Sequence, residues 1–212
     1  MKNKTIKKTP TPPGNSNIII GSWRFHLDEI HPYAYAINLF TPEECENIIK
    51  LGEKLHQHEA TISTKTTIDK KVRESMVSWI YPGLETNWIY QKIVPVINEL
   101  NSKYFGFDLD GLYEGFQFTK YIAPSGKYTA HTDRGYNTGI RKLSFSLQLT
   151  DKDKYKGGDL VFYDGKYTRL KSDLRKQGVL IAFPSFNVHE VKPVTKGTRY
   201  SLVGWVGGPN FK

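Results

Sequence analysis

LSFSLQLT, residues 143–150, puts Leu143, Phe145, Leu147 and Leu149 on one side of an extended chain and Ser144, Ser146 and Gln148 on the other. An apolar row opposite a polar one predicts a sheet that packs on helices outside and faces a wet pocket inside. Other short strands flank it: FQFTKYIA (116–123), YTAHTD (128–133), DLVFYDG (159–165), GVLIAF (178–183) and TRYSLVGWV (198–206). Gly, Pro, Asp and Lys clusters separate them. This period of two begins after about residue 111.

Upstream the period is helical. In TPEECENIIKLGEKL (41–55), Thr41 is a good N-cap, Pro42 suits the first helical position and Glu44 can close a capping box. Cys45, Ile48, Ile49 and Leu55 supply the apolar face. Trp88, Ile89, Ile93, Val96, Ile97 and Leu100 mark a second helix, with a kink expected at Pro95. Roughly eight strands with helices upstream predict a mainly β protein with N-terminal helices. Its core is a double-stranded β-helix, or jelly roll, with the helices packed on one sheet. The expected organisation is a flexible basic tail over 1–17, a helical and strand support region over 18–110, and the jelly-roll core over 111–208, all one domain.

Composition agrees with one globular unit: 212 residues, 38% hydrophobic and 13% aromatic. No apolar run approaches the ~18 residues that span a bilayer, and MKNKTIKKTPTPPGN has no apolar segment behind its charges, so it does not resemble a secretory signal. The single Cys45 excludes an internal disulfide framework and a multi-cysteine zinc site, and it suits a reducing cytoplasm. The net charge of +9 is spread over the tail, 65–73, 152–156 and 166–176. Nucleic acid or an acidic partner would suit such a charge. A lysine-rich solvated surface is the plainer reading, because no basic run is interleaved with aromatics.

His131 and Asp133 stand two apart in YTAHTD, which on a strand aims both at one point. Alone, a His-x-Asp pair is commonplace. A third ligand must come from elsewhere: His26 and His31 lie in the N-terminal segment, and His56 and His58 near the end of the first helix, where LHQHEAT reads as a solvated helix end. Only His189 falls in a second strand context. Two histidines and one carboxylate leave three open positions on an ion, the arrangement of non-haem Fe(II) oxygenases. Ten residues further on, Arg199 shares a strand face with Ser201, Val203 and Trp205. A guanidinium inside a barrel needs an anion, and a carboxylate fits its fork. A chelating site with a carboxylate anchor has the shape of a 2-oxoglutarate site.

Over roughly residues 35–206 the sequence resembles the Fe(II)/2-oxoglutarate-dependent dioxygenases, in the prolyl 4-hydroxylase-like branch that includes PKHD-type hydroxylases. YIAPSGKYTAHTD (121–133), KGGDLVFYDG (156–165) and FPSFNVHEVKPVTKGTRYSLVGWV (183–206) carry the resemblance. It implies His131, Asp133 and His189 as iron ligands and catalytic centre. It implies Arg199, with Ser201 and Tyr121, at the far carboxylate of 2-oxoglutarate, and Gln148 and Leu160 beside the co-substrate. It also implies O2 as oxidant and ascorbate as reductant. The implied reaction is hydroxylation of a C–H bond on a protein or peptide side chain, prolyl among the options, coupled to decarboxylation of 2-oxoglutarate to succinate. Around the substrate, Arg134, Tyr136 and Arg141 in DRGYNTGIRK (133–142) and Arg73 and Trp79 in VRESMVSWIY (72–81) are the candidates. A nucleic-acid demethylase is disfavoured, since Trp205 stands where such relatives carry a further arginine. A free amino-acid hydroxylase and a non-catalytic jelly-roll binding module stay open.

Overall fold

The structure, a computed structural model, describes residues 19–20, 23–24, 31–61, 68–135, 138–163 and 167–210. The expected basic tail over 1–17 lies outside them, as does Tyr136. Two antiparallel sheets face each other. The larger has eight strands, in the order Ala34–Ala36, Leu180–Pro184, Arg141–Gln148, Thr198–Gly207, Phe116–Ile122, Met76–Ile80 and His58–Glu59. The eighth, Gly111–Leu112, pairs with the end of Thr198–Gly207. The smaller sheet runs Tyr167–Arg169, Leu160–Tyr163, Val188–Val191, Lys127–His131, Arg73–Glu74. This is the jelly roll expected from the alternating segments. Among the described residues, no helix is long and apolar enough to cross a membrane.

The outward row of Arg141–Gln148 explains how the layers join. Leu143, Phe145, Leu147 and the following Leu149 are fully buried against two helices, α1 (Pro42–Lys54) and α2 (Asn87–Leu100). The helices contribute Cys45, Ile48, Ile89, Ile93 and Ile97 to the same core. Thr41 and Glu44 form the capping box, Thr41 Oγ1 accepting from the Glu44 N–H at 3.2 Å and Glu44 Oε2 from the Thr41 N–H at 2.8 Å. Gly52 lets α1 lie directly on the sheet, since a Cβ there would sit 2.4 Å from the Phe118 ring. A second cluster, with Leu160, Phe162, Ile181, Phe183 and Val191, fills the space between the sheets beside the cavity described below.

Several details add to the sequence reading or differ from it. Leu55 is the C-cap of α1 and is 37% exposed, so Gly52 closes the helix face instead. Pro95 sits on the exposed side of α2, whose helical run continues through it to Leu100 and a π-turn over Asn101–Phe105. The carbonyl that Pro95 leaves unbonded belongs to the exposed Gln91, where water can take over. Strands begin well before residue 111: Met76–Ile80, Arg73–Glu74 and His58–Glu59 belong to the sheets. His58 is therefore on an edge strand, not a helix end.

Candidate active site

His131 ends the strand Lys127–His131 and lies directly opposite His189 in Val188–Val191. Asp133 lies past the strand end, so its aim is not set by strand alternation. It is set by the main chain: the N–H groups of Asp133 and Arg134 both donate to the Ser185 carbonyl, at 3.0 and 2.9 Å. Asp133 Oδ1 is 3.7 Å from His131 Nε2, and Oδ2 is 3.5 Å from His189 Nε2. All three ligand atoms lie within 4.8 Å of one another. Donors at about 2.1 Å from one ion, at right angles, would be about 3 Å apart, so a small contraction closes the set.

The outer contacts fix the imidazoles for this task. His131 Nδ1 is 2.7 Å from the Thr129 carbonyl and His189 Nδ1 is 3.0 Å from the Asn187 carbonyl. A carbonyl can only accept, so each Nδ1 carries a proton and each Nε2 is turned to Asp133. Burial, and then the neighbouring His189, push the His131 imidazole down to about 3, which keeps it neutral. Burial opposes the charge of Asp133, but His189 and His131 outweigh it and hold the carboxyl below its usual range. Ser144 and Trp205 add to that effect, yet Asp133 Oδ2 is buried without a hydrogen-bond partner. A carboxylate with an orphaned oxygen beside two imidazole Nε2 atoms fits a divalent ion of the Fe(II) class.

Arg199 is 1% exposed, the largest side chain to be so fully buried. One terminal nitrogen donates to Gln148 Oε1 at 2.9 Å and the other to Ser201 Oγ at 3.4 Å, while Nε has no partner. Its guanidinium carbon lies 5.4 Å from the Tyr121 ring centre. No carboxylate among the described residues pairs with it. Gly158, at φ +64, lets the arginine pass: a Cβ there would lie 3.0 Å from Arg199 Cδ, which gives the Gly-Gly of KGGD a local reason. A buried cation without an anion is costly unless a ligand supplies one.

The metal set and Arg199 open into one cavity of about 500 Å³. Tyr121, Ser201 and Leu160 line it, while Gln148 acts through Arg199. Of the substrate candidates, Arg73, Trp79, Arg134 and Arg141 also line it. Arg141 is not available to grip a substrate as expected. Its fork is taken by Glu114, at 2.6–3.0 Å, and its guanidinium lies 3.9 Å over Trp205. It braces the wall. The sequence reading missed Tyr128 and Gln117. Tyr128 stacks on His131 with ring centres 3.4 Å apart, although three residues should place them on opposite faces. The cause is a bulge: His189 pairs with His131 but Val191 pairs with Tyr128, so the strand carries one extra residue that turns Tyr128 inward.

Two histidines and one carboxylate beside a buried cation in a jelly roll are the donor arrangement that non-haem Fe(II) oxygenases use. Residues 116–207 match the family model of the 2OG-Fe(II) oxygenase superfamily. Among similar sequences, a PKHD-type hydroxylase of Prochlorococcus marinus is 37% identical over 115 residues, 54% of this chain and 50% of that protein. One from Picosynechococcus is 41% identical over 90 residues, 42% of this chain and 40% of that protein. The chain thus spans about half the length, or less, of the curated relatives it matches. Among solved structures, a Pseudomonas putida prolyl-4-hydroxylase superposes with a TM-score of 0.65 at 21% identity, covering 85% of this chain and 94% of that one. A Trichoplax adhaerens prolyl hydroxylase, solved with a hypoxia inducible factor peptide fragment, gives 0.67 at 17% identity, covering 83% of each. At these identities the structures speak for the fold.

Proposed function

We propose that this protein is an Fe(II)- and 2-oxoglutarate-dependent hydroxylase acting on a protein or peptide side chain, prolyl being the first to try. The observation that carries the reading is the buried Arg199, without an acidic partner, in the same cavity as His131, Asp133 and His189. The family-model match over residues 116–207 supports the iron and the co-substrate, and the peptide-bound Trichoplax prolyl hydroxylase supports the substrate class.

When bound, iron and 2-oxoglutarate supply the oxidising power: one oxygen atom of O2 goes to succinate as CO2 leaves, the other into a substrate C–H bond. The protein's residues do the placing. His131 and His189 present Nε2 lone pairs because backbone carbonyls hold their other ring protons. Asp133 supplies the negative charge, fixed by the double hydrogen bond to Ser185. Arg199 offers its fork to the far carboxylate, with Ser201 beside it and Gln148 steadying its other nitrogen. Leu160, Phe183 and Val191 form an apolar wall that limits water around the reacting atoms. Ascorbate belongs to the proposal as the reductant that restores ferrous iron.

The test is O2-dependent conversion of 2-oxoglutarate to succinate by the ferrous protein, with mass spectrometry of a proteome digest for added oxygen. Stoichiometric succinate and oxygenated peptides support the reading. Methyl-base loss from oligonucleotides without oxygenated peptides would favour a demethylase, and no turnover of any kind would reject both.

A further inference from the structure

Two buried guanidiniums open into the same cavity, and the co-substrate's far carboxylate can neutralise only one. The second is Arg73, 9% exposed, opposite Tyr128 across the edge of the smaller sheet. Its Nε donates to Ser75 Oγ at 3.1 Å and its Nη2 to Gln117 Oε1 at 2.7 Å. The guanidinium carbon lies 4.5 Å from the Tyr128 ring centre, and that ring stacks on His131. Arg73 is therefore locked two ring spacings from a metal ligand.

What it lacks is an anion. No carboxylate of the described residues lies within ion-pair distance of Arg73. Nearby acids are engaged: Glu74 accepts from Ser125, Asp69 accepts from the Lys71 N–H, and Glu59 pairs with Lys70. At the one side-chain position that meets Nη2 stands the neutral Gln117, where a glutamate of equal length would cancel the charge. Nη1 has no hydrogen-bond partner among the described residues, so its two hydrogens and one on Nη2 are left for a ligand. Arg199 suits the co-substrate better, being deeper and flanked by Ser201 and Tyr121. Beyond Arg73 a second hollow of about 160 Å³, lined by Ile68, Lys70, Met76 and Lys120, gives room for chain on the far side.

We infer that Arg73 anchors a carboxylate of the primary substrate, so that the carbon hydroxylated belongs to a unit lying close to an acidic group. This rests on the iron and 2-oxoglutarate reading above. The carboxylate can come from an aspartate or glutamate within a peptide or from a free amino acid, and planar two-point capture by Arg73 is the same for both.

The experiment uses the full chain as wild type, Arg73→Gln and Arg73→Lys. Calorimetry with Zn(II) in place of iron measures 2-oxoglutarate binding. The ferrous proteins then receive, in separate arms, a pool of acetylated and amidated random pentapeptides and a pool of free L-amino acids, with products identified by mass spectrometry. Wild type is expected to oxygenate acid-bearing peptides, or free amino acids if those are the source. Arg73→Gln is expected to bind 2-oxoglutarate within about threefold of wild type and to lose the acid-bearing products at least tenfold. Arg73→Lys, which keeps the charge without the fork, is expected to fall between. Products without acidic preference, an unchanged preference in Arg73→Gln, loss of 2-oxoglutarate affinity in Arg73→Gln, or no product from a wild type that binds metal and 2-oxoglutarate would each overturn the inference. Failure of wild type to bind either would instead sink the underlying reading.

Discussion

Replacing Arg199 by methionine separates the two things that a buried cation does. The side chain is 1% exposed, hydrogen-bonded only to the neutral Gln148 and Ser201, and without an acid among the described residues. In the ligand-free protein its charge is a liability, so a similarly long apolar side chain should leave stability unchanged or raise it, by up to ~1–4 kcal/mol. With 2-oxoglutarate bound the sign reverses. Removing one partner of a buried, hydrogen-bonded charge pair costs about 2–5 kcal/mol, which is roughly a 30- to 4,000-fold rise in Kd. Calorimetric titration of 2-oxoglutarate into the Zn(II) protein reads the affinity, and urea unfolding of the metal-free protein reads the stability. Arg199→Met binding 2-oxoglutarate within about threefold of wild type would refute the reasoning, as would a metal-free variant that unfolds several kcal/mol more easily.

Three further outcomes follow from the packing. Gly158→Ala should destabilise by about 1–3 kcal/mol, because the φ of +64 is strained for alanine. It should also weaken 2-oxoglutarate binding, because its Cβ meets Arg199 Cδ at 3.0 Å, while metal affinity measured by competition with a chelator stays put. Gly52→Ala should cost about 1–3 kcal/mol in urea despite the better helix propensity of alanine, since the Cβ would strike Phe118; a gain in stability would contradict the seating of α1. Glu44 is held below its usual range by its hydrogen bond from Lys92 and by the Thr41 cap. Its contribution to stability is therefore present above the unfolded value near pH 4.5 and is lost as pH falls through the lower folded value. Glu44→Gln should flatten that part of the acid-unfolding curve, and an unchanged curve would remove Glu44 from the account.

How much of this was legible varied with what fixes each residue. The jelly roll was legible because LSFSLQLT has the plain alternation of a strand with one dry face, and α1 because its cap, first-position proline and apolar spacing agree. His189 was legible by scarcity, as the one histidine outside the N-terminal half besides His131. Asp133 meets the two imidazoles for a reason that its spacing does not give: a main-chain clasp to Ser185 aims it, 52 residues away, and no local pattern encodes that. The inward turn of Tyr128 depends on a bulge, which breaks the parity that sequence periodicity assumes. Arg141 looked free because its partner Glu114 is distant in the chain, and the neutrality of Gln117 gains meaning only when Arg73 is seen against it. The short upstream strands escaped because pairing, not propensity, holds two-residue segments such as Arg73–Glu74 and His58–Glu59 in place.

The central claim is that three side chains from two segments close on one ferrous ion while Arg199 receives the far end of a chelating keto acid. Anaerobic titration of the protein with Fe(II) and 2-oxoglutarate, followed by visible absorption, tests it most directly. A charge-transfer band that saturates at one equivalent of each, and that vanishes in His131→Ala, is the predicted result; a folded wild type that develops no band would contradict it.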